Sequence, residues 1–312
     1  MNGIRRILPI ASITVACSAI LAGPRLFSDG PADGLIRRAE RQTRSGTLAN
    51  DASKAVREGD YDRAIALLRE AIESHPHDVG AKYDPWTMPL HDKGALEHGR
   101  QQFERMLRDR PQMCSNIHPS DLLWKWTLAK YAAKIEGLPI EWSDLEPSNN
   151  SDAENYRPYD GTPGQIRVKA IDARRADAAA FETLWVNVVF ELHNIESTKE
   201  FSAIDAKARE GLIERDAYVK RMFMVEWKTM ERTRKWYVEV FLPHAKKYKL
   251  PTDPARWYCD TWGTAEEDFA RYSNRNDYPW EPYSTQFREL RSSGAIRRFF
   301  KAVAGMADFV QP

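Results

Sequence analysis

Two amphipathic stripes on either side of Gly59-Asp60 constrain this chain more than any other feature. Leu48, Ala52, Ala55 and Val56 recur at helical spacing. Tyr61, Ala64, Ile65, Leu68, Ala71 and Ile72 form a second stripe, which Pro76 closes. Apolar residues three and four apart share one face of a helix, so each segment must bury its stripe against a neighbour. Gly59 ends the first helix and Asp60 caps the second, which predicts an αα-hairpin.

The stretch GDYDRAIALLREAIESHP within that hairpin resembles the second half of a tetratricopeptide repeat. Gly59, Tyr61, Ala64, Ala71 and Pro76 stand where that repeat places a turn, a packing ring, two small helix-contact residues and a terminator. A degenerate second copy sets Gly94, Gly99, Phe103, Met106 and Pro111 on the corresponding positions, with Pro85 and Pro89 interrupting its first helix. The resemblance covers about residues 45–111. It implies a protein or peptide partner held on a concave face. The groove-facing positions would be Ala49, Ser53 and Val56, which lack the basic and amide side chains of the best-known groove.

The remaining chain reads as helical. Helices are expected over about 121–134, 178–195, 216–242 (ending at Pro243) and 295–307, with Thr264 and Glu267 at capping-box spacing before a short one. Residues 143–164 are polar and read as a loop. Gln165 to Ala170 alternates like a strand and can pair with Pro139 to Trp142 in a two-stranded ribbon. The expected fold is mainly α: tetratricopeptide-like hairpins, then a larger helical domain with a minor β-ribbon. The expected divisions are 1–22 leader or anchor, 23–45 linker, 46–117 hairpins and 118–312 helical domain.

Arg5 and Arg6 precede an uncharged apolar run from Ile7 to Gly23, the layout of a secretory signal, with Ala22 as the last residue of a cleaved leader. The run also sits at the lower limit of the roughly 17–25 residues that span a bilayer, so an uncleaved anchor is an alternative. A lipoprotein at Cys17 is a third, with Thr14 where such signals usually carry Leu. Each places the body outside the cytoplasm, and membrane contact is expected only through this segment. Beyond it, Cys114 and Cys259 are open to a single bridge or to two buried thiols. A formal net charge of +1 is far from the strongly basic balance of a nucleic-acid binder, and no such partner is expected.

No G-x-S-x-G, H-E-x-x-H, phosphate-binding glycine loop or metal-spaced cysteine pair occurs, and no cofactor or metal is expected. Thr183, Asn187, Glu191 and Asn194 form a polar stripe on an otherwise apolar helix, and Glu226 lies among Met222, Phe223 and Met230 on another. Facing one cleft, Glu191 and Glu226 would divide acid and base roles. As a solvated helix edge, they would pair with Arg221 or Arg232. Trp257, Tyr258, Trp262, Trp280 and Tyr283 belong to an aromatic-rich segment whose rings either grip a sugar or peptide or wrap the core. The leading expectation is an exported, non-enzymatic interaction or scaffold protein of the cell envelope. The alternative is an envelope hydrolase acting on glycan or peptide with carboxylates from the long helices.

Overall fold

The computed structural model describes residues 31–74, Gln101, 134–135, 138–145, 153–156, 164–169 and 178–307. The leader, the degenerate second repeat apart from Gln101, the helix expected over 121–134 apart from Lys134 (which is strand), and Cys114 lie outside the described residues.

Helix α1 (Pro31–Arg57) and helix α2 (Tyr61–Ser74) form the expected hairpin. Gly59 adopts φ 77°, a left-handed conformation that costs glycine little. This lets Asp60 N–H turn back to the Ala55 carbonyl at 2.9 Å. The Asp60 side chain then caps α2 by accepting from Arg63 N–H at 3.1 Å. Ala52, Ala64, Leu68 and Ala71 have no exposed surface, so the small residues let the two backbones approach closely. Because α1 starts at Pro31, much of the stretch expected to be a linker (23–45) is helix.

The hairpin docks on the rest of the chain. Tyr61 Oη donates to the Leu250 carbonyl at 2.9 Å, and Arg69 grips Glu239 with two bonds of 2.8 and 2.6 Å. Lys246 pairs with Asp62 at 2.5 Å.

A mixed sheet follows, built from β1 (Lys134–Ile135), β2 (Leu138–Leu145), β3 (Ala153–Tyr156) and β4 (Gly164–Lys169) in the order β1-β2-β4-β3. The ribbon expected from sequence is its central pair, β2 and β4, which run parallel with Trp142 opposite Ile166. Parallel neighbours need a crossover connection, and this one carries β3 back antiparallel on the far side of β4. The polar stretch 143–164 is therefore partly strand, with Asn155 opposite Ile166. Ile166 and Val168 face inward and join the core.

Helix α3 (Ala178–Glu196) packs on that sheet, and α4 (Thr198–Glu210), which the sequence pattern did not single out, follows it. Next comes one long rod: α5 (Arg215–Trp236), a π-helical segment (Tyr237–Phe241) and α6 (Leu242–Tyr248). Pro243 does not end it. A proline lacks the N–H for the ladder and crowds the preceding turn, and the wider π turn immediately before it removes that conflict. Trp236 stacks between Trp185 of α3 and Trp257, with ring centroids 6.4 and 5.5 Å away. This is the centre of the main core.

Helix α7 (Ala265–Arg271) starts with the expected capping box: Glu267 N–H donates to Thr264 at 3.0 Å, and Thr264 N–H donates to Glu267 at 2.7 Å. The last helix, α8 (Trp280–Ala307), begins well before the expected residue 295. Pro282 is tolerated in its first turn, and Gly294 is retained inside it because α4 passes too close for a side chain. No described helix is long and apolar enough to cross a membrane.

Candidate functional site

The sheet edge and helices α3, α4, α5 and α8 enclose a cleft of about 320 Å³. Glu191 and Asn194 come from α3, Glu154 and Asn155 from β3, Met222 and Glu226 from α5, and Tyr283 and Gln286 from α8. The two carboxylates singled out from sequence thus line one cleft.

Glu191 is not the solvated edge that one sequence-based alternative expected; it is only 8% exposed. Nor does it pair with either expected arginine. Arg232 donates to Ser197 at 3.0 Å, and Arg221 is exposed. Instead, Asn155 Nδ2 donates to Glu191 Oε2 at 2.7 Å, and Asn194 Nδ2 donates to the same oxygen at 3.2 Å. Helical spacing of three puts Asn194 beside Glu191, whereas Asn155 arrives only because β3 returns along β4. Burial raises the Glu191 carboxyl to about 7 against the two amide bonds, and the negative charges of Glu226 and Glu154 add to the rise. Both amides satisfy Oε2, so Oε1 is the oxygen left to carry a proton.

Glu226 occupies a different setting. It is half-buried, and Tyr278 Oη donates to its Oε2 at 2.5 Å. Tyr278 is itself held edge-on to Tyr272.

The aromatic segment largely wraps the core. Trp257, Trp262 and Trp280 are buried, and their indole N–H groups donate to Glu182, the Cys259 carbonyl and the Tyr272 carbonyl. Tyr258 packs on Phe190. Of the five rings proposed from sequence to touch a ligand, only Tyr283 lines the cleft. The other four rings lie outside the cleft lining and pack against protein partners, the core-wrapping alternative of the two read from sequence.

Sequence reasoning missed three carboxyl or amide groups of consequence. Glu154 and Asn155 lay in a stretch read as loop. Glu182 is buried at the other end of α3, where it accepts from Trp257 Nε1 at 2.8 Å and Asp253 N–H at 3.0 Å and so fixes the 252–257 loop. Its carboxyl is raised by burial, and these bonds oppose the shift. Cys259 has a free, buried thiol, pushed up by burial beyond the ordinary range and therefore unreactive. Among the described residues, no group of three or more His, Cys, Asp or Glu side chains is arranged to hold a metal ion.

Compared with known protein families, curated proteins and solved structures, the chain gives no significant match.

Proposed function

We propose that the cleft is a carboxyl-based hydrolytic site, acting on a glycosidic or peptide linkage outside the cytoplasm. The observation that carries this reading is the placement of Glu191 and Glu226, from two different helices, in one cleft with unlike surroundings. Glu191, raised to about 7, is the acid: its proton passes from Oε1 to the leaving oxygen or nitrogen as the bond to the scissile carbon breaks. Glu226, whose Oε2 accepts the Tyr278 proton donor, is the base that takes a proton from the attacking water. One water is consumed and two product ends are released. The cleft volume falls at the lower end of the roughly 300–1,000 Å³ of small-ligand sites, which suits the reacting unit of a polymer rather than a long stretch of it.

Export is supported by Arg5, Arg6 and the uncharged run to Gly23. Fusing residues 1–30 to a reporter active only outside the cytoplasm tests it, and a silent reporter with protein present removes that part of the proposal.

A non-enzymatic interaction role through the hairpin has less support. Ala49 and Val56, which would face a groove, are buried within this chain, and Ser53 donates to the Ala49 carbonyl at 3.0 Å.

The direct test is turnover of mixed cell-wall glycans and peptides by the native protein and by Glu191→Gln. The expected result is measurable turnover that falls by about 10²–10⁴ in the variant, the usual worth of a general acid. Native protein that is folded but inert on the whole panel overturns the hydrolase.

A further inference from the structure

Asn155 stands on a face of the sheet that is otherwise apolar. Register places it opposite Ile166 and places Ala153 opposite Val168. Directly opposed residues share a face, so these four side chains lie on the side that packs against α3. Ile166 and Val168 are buried in the main core, and Ala153 packs against it. Across from Asn155, α3 presents the buried Glu191, whose Oε2 accepts the Asn155 amide at 2.7 Å. Replacing both partners of such a couple by apolar groups of the same shape is often neutral or stabilising, so folding alone does not account for it. The two donors to Oε2 also differ in what they can fix. Asn194 lies three residues along the same helix, moves with Glu191 and makes the longer bond, 3.2 Å. Asn155 comes from a different element, so its bond ties the carboxyl to the sheet. An amide N–H can only donate, so the oxygen it meets is not the one that carries the proton.

We propose that Asn155 is a positioning residue for Glu191: its amide, carried in by β3, fixes the plane of the carboxyl and keeps the proton on Oε1. This rests on Glu191 being the acid of the proposed hydrolase, and it names what governs the pH range over which that acid works. A donor to the charged form favours it, so Asn155 opposes the rise caused by burial and by the negative charges of Glu226 on α5 and Glu154 on β3. The other elements around the carboxyl present uncharged groups: Ile166 and Val168 from β4, Phe201 from α4, and Tyr283 and Gln286 from α8. Without Asn155 the carboxyl would hold its proton to higher pH.

The test is Asn155→Leu in the full chain, which keeps the approximate size and removes the donor, with Asn155→Ala as a second form. Carbon-13 NMR of labelled glutamate follows the Glu191 carboxyl, whose signal is assigned by its absence from Glu191→Gln. Its titration midpoint should move up by about one pH unit, a tenfold gain in proton affinity, as expected for losing a hydrogen bond to a charged group. At about pH 5, where the carboxyl holds its proton, Asn155→Leu should melt within a few degrees of native. At about pH 8 it should melt lower, because the charged carboxyl has lost a donor. On a substrate that the native protein turns over, kcat should fall by about tenfold with KM little changed, and the high-pH limb of the rate profile should rise with the NMR midpoint. An unmoved midpoint in both variants overturns the inference. So does failure of both to fold, or an equal loss of stability at both pH values, since either makes Asn155 a packing residue. Those results leave the hydrolase standing wherever turnover depends on Glu191. A midpoint that rises in a protein inert on every substrate keeps the hold of Asn155 on the carboxyl and removes the hydrolase.

Discussion

Gly294 of α8 faces the Arg209 carbonyl of α4 so closely that a Cβ would lie 2.1 Å from the oxygen. Both partners are backbone, so neither can swing aside. Gly294→Ala should therefore force the helices apart and destabilise the fold by about 1–3 kcal/mol, although alanine is the better helix former. Chemical denaturation is the measurement. An unchanged or higher stability would mean that the two helices do not pack in this register.

Stability should fall as pH rises from about 5 to 7, with Glu191 as one cause. Its carboxyl has an ordinary value of 4.5 and sits at about 7 in the fold. Below the lower value both states hold the proton and nothing is lost. Between the two values the unfolded chain releases its proton first, and above the upper one the full penalty applies, on the order of 3 kcal/mol. Glu191→Gln should be more stable than native at pH 8 and nearly equal to it at pH 4.5. Glu231, raised to about 8 by burial against the nearby Arg234, should leave a residual decline in the variant. Parallel melting curves for the two proteins across that range would remove Glu191 as a cause.

Truncating Glu182 should be among the costlier single changes. Glu182→Ala strands the Trp257 indole N–H and the Asp253 N–H, and removes one of the partners of Arg256, which keeps Asp253 and Thr183. Each stranded buried donor costs about 1–3 kcal/mol. Glu182→Gln, which keeps an acceptor, should lose distinctly less. If the two variants melt together, the loop is not held by these bonds.

At the hairpin, packing should outweigh charge. Ala64 has no exposed surface, so Ala64→Leu should cost about 1–3 kcal/mol by overpacking. Arg69→Ala removes a doubly bonded pair with Glu239 whose arginine is half exposed, a type of contact worth about 0–1 kcal/mol. The reverse ranking in thermal unfolding would mean that the hairpin is held to the body mainly by its ion pairs.

Local signals carried the hairpin, the capping box and helix α3 directly into the sequence. Each depends on residues within a few turns of one another, such as Gly59 with Ala55 or Thr264 with Glu267. Long-range partners were not legible. That Pro243 sits inside a rod depends on the π turn before it, and that Gly294 sits inside a helix depends on the approach of Arg209. The cleft shows the same division. Glu191 and Glu226 stand out as carboxylates on apolar helices. Asn155, which bonds Glu191, comes from a strand with too little alternation to be seen, and only its pairing with Val168 to Gln165 brings it there.

The π segment within the long rod also sets an angular phase. One extra residue in a turn rotates everything beyond it by about 100° relative to an uninterrupted α-helix. Glu226 lies before that point and looks into the cleft, while Lys246 lies after it and meets Asp62 of the hairpin. Deleting a single residue between Tyr237 and Phe241 would let the helix run straight and leave both side chains at their stations, because the wide turn takes up one residue more than an α turn holds. The irregular turn is thus what lets the rod carry an extra residue while Glu226 and Lys246 keep the directions they would have on a straight helix one residue shorter.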